Sequence, residues 1–453
     1  MTAHRFSPRT AMAVVIANMI GTGVFTSLGF QLLDIQSGFV ILMLWIVGGM
    51  TALCGALTYA ELGAALPRSG GEYNFLGRIY HPAAGFISGW ISATIGFAAP
   101  TALAAITFGT YLASVVPGLS PTWLAAGLVA VLTAVHASSH RNSGGVQRVF
   151  TALKILLILA FCVLAWLLAD SPQSQVQFLP NTRDAPLLLS GAFAVSLIYV
   201  NYAYTGWNAA TYLTGELERP AESLSRVLLW GTAVVMLLYV LLNFTFLYVA
   251  PMDAMTGRLE VGYIAAQHVF GETGAVIMGV VLALLLVSTV SAMIMAGPRV
   301  LQMIGQDYRA FRLLSRTNQH EVPWVAIILQ SGLSLLFIFT ASFESILVFA
   351  GFTLGLNTFF TVLGVFVLRR RQPDLPRPYR IPGYPIPPLL FLAFTGWTLI
   401  YILRDRPEEG LLGLAIVVSG AFAYFLTQRF GSTRATVAGP SRPTLRTPPT
   451  PPV

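Results

Sequence analysis

The stretch IGTGVF, Ile20 to Phe25, interrupts the first long apolar run of the chain, and YAYTGWN, Tyr202 to Asn208, interrupts a second one. Two glycines around a threonine, and a Thr-Gly pair flanked by aromatics, lower helix propensity where the surrounding hydropathy asks for continuous helix. Both breaks fall near the middle of their runs. Broken backbone at membrane depth is tolerated only where protein or a water-filled cavity satisfies its polar groups. The other reading of either glycine cluster alone is close helix packing, since small residues are common in membrane helices.

The rest of the chain gives these runs their setting. With 55% hydrophobic residues, 10% charged residues and a mean hydropathy of +0.72, it is far too apolar for a soluble protein of its length. Twelve hydrophobic segments are expected, at 10–31, 39–65, 83–114, 122–138, 149–169, 188–213, 227–249, 274–297, 323–341, 345–368, 386–403 and 410–428. Most are near the 20 or so residues that a helix needs to cross hydrocarbon. They lack the strict alternation of a membrane barrel, so an all-α membrane protein is expected.

Interrupted segments at matching places in two halves are the sequence sign of inverted repeats. Spans one to five (10–185) would form one repeat and spans six to ten (186–368) the other, a 5+5 inverted repeat. Residues 369–430 would hold two peripheral spans, after a short cytoplasmic N-terminus at 1–9. The stretch 431–453 is rich in Pro, Thr and Arg, as expected for a disordered tail. At a break, amides at the start of one half-helix bind a carboxylate, and carbonyls at the end of the other accept from a cation. An amino acid backbone offers both charges. Thr22 and Gly23 are thus placed to hold an α-carboxylate, and carbonyls near Met19, Tyr202 and Thr205 an α-ammonium. No acidic residue is expected at mid-membrane, Glu61 at the end of span two being the nearest. That weighs against a substrate whose side chain needs an ion pair.

Charge sets the topology. Counting from a cytoplasmic N-terminus, inner loops and tails carry 21 basic residues and outer loops four: Arg183, Arg258, Arg404 and Arg406. Both termini are then expected in the cytoplasm, in an inner or plasma membrane. The net charge of +8 is a topological signal and gives no reason to expect nucleic acid. Lys154 is the only lysine and lies inside an apolar run, where a charge costs about 2.5–3.5 kcal/mol on insertion scales. It either marks a function or snorkels from near the helix end to the interface. Cys54 and Cys162 both fall in expected spans and suggest neither a disulfide nor a metal site. No paired carboxylates or nucleophile motif occur at membrane depth, so neither an enzyme nor a cofactor is expected.

IGTGVF, YAELGAALPRSGGEY (Tyr59 to Tyr73), YAYTGWN followed by ELERP (Glu216 to Pro220), and RPYRIPGYP (Arg377 to Pro385) together resemble the amino acid, polyamine and organocation (APC) superfamily. Within it, the similarity is closest to the L-type amino acid transporters and their bacterial relatives, over residues 8–428. The resemblance implies that Thr22 and Gly23 match a carboxylate-binding GSG turn. It makes Tyr202 the counterpart of an aromatic gate that is commonly Phe, and puts Thr205 where Gly is frequent. Asn208 would lie beside the substrate. Lys154 would replace a sodium ion between the first break and span eight, with Ser288 and Ser291 as its candidate hydroxyl partners. Glu61 and Arg68 are candidates for an inner ion pair, and Trp207 for packing. The loop Ser114 to Pro121 has no cysteine, so no disulfide-linked heavy subunit is expected. The implied function is sodium-independent exchange of neutral L-amino acids by alternating access. Proton symport through Lys154, or an amino acid sensor of the same fold, are the alternatives.

Overall fold

The computed structural model describes residues 7–138, 143–169, 176–217 and 220–429; the expected tail, and Glu218 and Arg219 of the ELERP motif, lie outside them. Helices are the only regular elements among the described residues. In chain order they open with α1 (Pro8–Met19), α2 (Gly23–Asp34), α3 (Gly38–Ala65) and the short α4 (Glu72–Ile79). Next, α5 (Pro82–Ile91) runs through a π-helical turn, Ser92–Gly96, into α6 (Ala98–Val115), followed by α7 (Pro121–Ser138) and α8 (Ser143–Leu168). After the small α9 (Asp184–Leu188) come α10 (Gly191–Tyr204), a 3-10 segment Ala209–Glu216, α11 (Pro220–Val249) and the small α12 (Met252–Met255). The chain finishes with α13 (Val261–Ala296), α14 (Pro298–Asp307), α15 (Trp324–Thr340), α16 (Phe343–Arg371), α17 (Ile386–Asp405) and α18 (Pro407–Arg429).

Side chains fix several of the starts. Ser7, Ser37, Ser190 and Ser342 each accept from an amide of the first turn of α1, α3, α10 and α16, which stands in for the missing intrahelical partner. Pro8 opens α1, where its absent N–H costs nothing.

Among the described residues, ten helical stretches are long and apolar enough to cross a membrane. They correspond to ten of the twelve expected runs. The other two are 188–213, where α10 has only 14 residues before it breaks, and 323–341, where α15 has 17. Helix α13 is not straight: Gly271, at φ 67°, separates a short first part from the long second part expected at 274–297.

Both expected breaks are present. Helix stops at Met19 and restarts at Gly23, and α10 stops at Tyr204 with Ala209 opening a tighter 3-10 segment. They lie against each other. A Cβ on Gly23 would sit 2.6 Å from the Ala203 Cα, and one on Gly206 would sit 2.8 Å from the carbonyl of Asn18. Gly206 also has φ +104°, a conformation that costs glycine little and other residues more. The two readings of the glycines therefore hold together: the same residues break the helices and let them touch. Behind them α1 and α3 pack on α11, and α6 on α13. Trp45, Tyr204 and Tyr239 form a fully buried aromatic group at this contact.

Candidate functional site: a cavity between two broken helices

The breaks enclose a cavity of about 150 Å³, and all six residues expected to meet the substrate line it: Met19, Thr22, Gly23, Tyr202, Thr205 and Asn208. The far wall includes Phe97 and Pro100, beside the π-helical turn. A smaller cavity of about 70 Å³ lies behind the second break and shares Tyr202, Thr205 and Asn208 with it. Thr22 stands at the N-cap of α2 without capping it through its side chain. The first amides of a helix have no partners within it, so this turn offers donors and the positive end of a helix dipole at the cavity wall.

The acceptor side differs from expectation. The Met19 carbonyl already receives the Gly21 amide at 2.8 Å and the Tyr239 hydroxyl, which also lies 3.1 Å from the Ala203 carbonyl. Two donors occupy the two lone pairs of that oxygen, so Met19 lines the cavity without a free carbonyl for an ammonium. The Tyr202 carbonyl is engaged by the Thr205 amide at 2.9 Å. Tyr239 thus joins both breaks through one hydroxyl.

Lys154 is 4% exposed, and its ammonium points inward instead of snorkelling to the interface. Its Nζ donates to the Ile20 carbonyl at 3.0 Å and to Thr289 Oγ1 at 2.8 Å. The expected hydroxyl partners on span eight are therefore corrected: Ser288 bonds the Leu285 carbonyl at 3.0 Å, and Ser291 pairs with His136 Nε2 at 2.8 Å. Successive helix positions point about 100° apart, and the face toward Lys154 falls on the residue directly after Ser288.

Glu72, which no sequence signal placed at the cavity, is the second correction. It is 2% exposed, lines the cavity, and opens α4. Its Oε1 accepts from Asn208 Nδ2 at 2.6 Å and from the Tyr59 hydroxyl at 2.9 Å, and its Oε2 accepts from the Tyr212 hydroxyl. An acidic residue therefore does face the break. Glu61 lies elsewhere and pairs with Arg369, not with Arg68: Nε and Nη2 of Arg369 reach its two oxygens at 2.8 and 2.6 Å. The Ile381 amide adds a bond at 2.9 Å, and Arg377 approaches to 3.7 Å. The YAELG and RPYRIPGYP motifs thus meet at one carboxylate. Trp207 packs on Tyr59 and Phe391. Both cysteines are free and buried, and no cluster of His, Cys, Asp or Glu able to hold a metal occurs among the described residues.

Sequence comparison agrees with this architecture. The amino acid permease family matches residues 6–422. The large neutral amino acids transporter small subunit 2 of Rattus norvegicus is 30% identical over 441 residues, covering 92% of this chain and 79% of the relative. The b(0,+)-type amino acid transporter 1 of Mus musculus is 26% identical, covering 92% and 86% respectively. The serine/threonine exchanger SteT of Bacillus subtilis (strain 168) is 26% identical, covering 89% and 93%. A family match over nearly the whole chain, together with helices built to cross a membrane and two broken helices around a cavity, makes this protein a member of the amino acid permease family, within the APC superfamily of membrane transporters.

Proposed function

We propose that the chain is a secondary transporter that exchanges neutral L-amino acids by alternating access without sodium. The observation that carries this reading is the Lys154 ammonium, held between the Ile20 carbonyl at the first break and Thr289 of α13. Oxygens that would otherwise coordinate a metal cation receive N–H donors from a fixed side chain. Transport then needs no sodium ion at that point. The first turn of α2 at Thr22 and Gly23 holds the substrate carboxylate, Tyr202 gates the cavity, and Thr205 and Asn208 border the substrate. A cavity of about 150 Å³ has room for a molecule of roughly benzene size, which fits a small or medium side chain. The Glu72 carboxylate is engaged by three neutral donors, which supports a substrate without a cationic side chain. Two relatives are named for large neutral amino acids and for serine/threonine exchange, in keeping with both halves of the proposal.

The arrangement that goes with this function has twelve spans, the first ten as two inverted repeats at 10–185 and 186–368, and both termini in the cytoplasm. The arginine distribution supports that orientation. With both cysteines buried, the chain works without a disulfide-linked heavy subunit. The test is uptake of each of the twenty amino acids into proteoliposomes in sodium-free buffer. Uptake into vesicles preloaded with a neutral amino acid, and little into empty ones, is the expected result. Equal uptake into empty vesicles, driven by an inward proton gradient, would replace exchange with proton symport.

A further inference from the structure

Glu72 enters the transport reading only through its charge, and its place in the molecule gives it a further role. Gly70 and Gly71, at φ +116° and +52°, turn the chain so that α4 begins with Glu72 buried against the second break. The turn is tight, and a Cβ on Gly71 would meet the Tyr212 ring at 2.8 Å. The carboxylate then joins three elements: α3 through Tyr59, the break through Asn208, and the 3-10 segment through Tyr212. Among the described residues no Lys, Arg or His forms a salt bridge with Glu72. Its neighbours are neutral donors aimed at a single acceptor.

We propose that Glu72 is the positioning residue of the second break: it sets Asn208 at the cavity wall and pins the segment Ala209–Glu216, so the cavity opens on the α4 side only when these bonds part. Only the donor geometry supports it, and the transport reading enters through one of its two tests. A carboxylate accepts from several donors at once, whereas an amide in its place has one acceptor oxygen and brings two donors of its own. Glutamine of equal size can keep the Tyr59 and Asn208 bonds at its one oxygen, but its NH2 turns Tyr212 from donor to acceptor and brings a further donor with no partner, so it should loosen the arrangement less than alanine does.

The first test needs no transport. A cysteine introduced by Ala209→Cys, a residue lining the cavity, is labelled in detergent micelles with a soluble maleimide, the native cysteines being buried. With Glu72 intact, labelling should be slow; in Glu72→Ala it should rise about tenfold, and in Glu72→Gln about threefold, at unchanged monodispersity. Should Glu72→Ala fail to fold, Glu72→Gln carries the test. Labelling unchanged in a folded variant would overturn the proposal, since an acid that only stabilises the fold would alter yield and leave the rate alone. The second test is a double-mutant cycle on exchange in proteoliposomes. Glu72→Ala and Asn208→Ala should each raise KM about tenfold, and the pair together should do no more than one alone. Effects that multiply would show that Glu72 does not act through Asn208. If the wild type moved no amino acid, the transport reading would fail while the labelling rate still decided the role of Glu72.

Discussion

The two breaks are held by opposite charges. At the first, the freed groups are carbonyls, and the partner is a donor: the Lys154 ammonium, arriving from α8. At the second, the groups turned toward the cavity are the Asn208 amide and the Tyr212 hydroxyl, and the partner is an acceptor: the Glu72 carboxylate, arriving from α4. Each buried charge is matched to what its break exposes. Irregular backbone inside a membrane needs such partners: at the first break Lys154 bonds the Ile20 carbonyl from outside the broken helix, whereas at the second local amides bond the backbone and Glu72 holds the side chains. The Tyr239 hydroxyl, which reaches the carbonyls of Met19 and Ala203, touches both breaks.

That contrast can be broken by substitution, and the effects should follow the charge of the group removed. Lys154→Ala takes away the donor to Ile20 and Thr289; a loss of exchange rate of about a hundredfold is expected, because hydrogen bonds to charged groups are worth about 1.5–3 kcal/mol each. Exchange within twofold of wild type would show that the ammonium at the first break is not needed for transport. At the other break, Asn208→Ala should raise KM about tenfold for every transported amino acid, since Glu72 keeps its two tyrosine donors. An effect confined to one amino acid would place Asn208 at the side-chain end of the substrate.

Finer changes sharpen the picture of the first break. Thr289→Val keeps the shape of the side chain but removes the hydroxyl that accepts from the ammonium, and a rate lower by about fivefold is expected. Ser288→Ala and Ser291→Ala should stay within about twofold, because their hydroxyls bond elsewhere. Initial rates of exchange for the three variants, measured side by side at matched protein content, decide between the neighbouring positions. A larger loss in either serine variant than in Thr289→Val would move the contact back to the serines.

The first break is legible in the sequence because glycines clustered inside an apolar run either interrupt a helix or let two helices touch, and both lead to the same place. Lys154 is legible because a lone lysine in such a run stands out. Glu72 is not. It follows Gly70 and Gly71 in a polar connection between spans, where a carboxylate is ordinary, and only the fold of α4 back toward the cavity brings it to the break. The hydroxyl partner of Lys154, Thr289, lies between the two expected ones, Ser288 and Ser291, since hydropathy marks a span but does not fix which helix face meets a neighbour. The engaged carbonyl of Met19 depends on Tyr239, 220 residues away along the chain, and no local pattern reports such a contact. Spans six and nine are readable as apolar runs, yet the helices that form there are shorter than the runs, with 14 residues in α10 before its break and 17 in α15.

If a fixed ammonium does the work of a sodium ion at the first break, transport should be indifferent to sodium and intolerant of change at Lys154. Exchange of a neutral amino acid should be measured in proteoliposomes for the wild type, Lys154→Ala and Lys154→Arg, each with sodium and with an inert cation in its place. The wild type should run equally fast in both salts, and both variants should be strongly impaired, because the larger planar guanidinium does not reproduce a compact ammonium at a crowded contact. A wild type that needs sodium, or variants that both exchange at the wild-type rate, would contradict that role for Lys154.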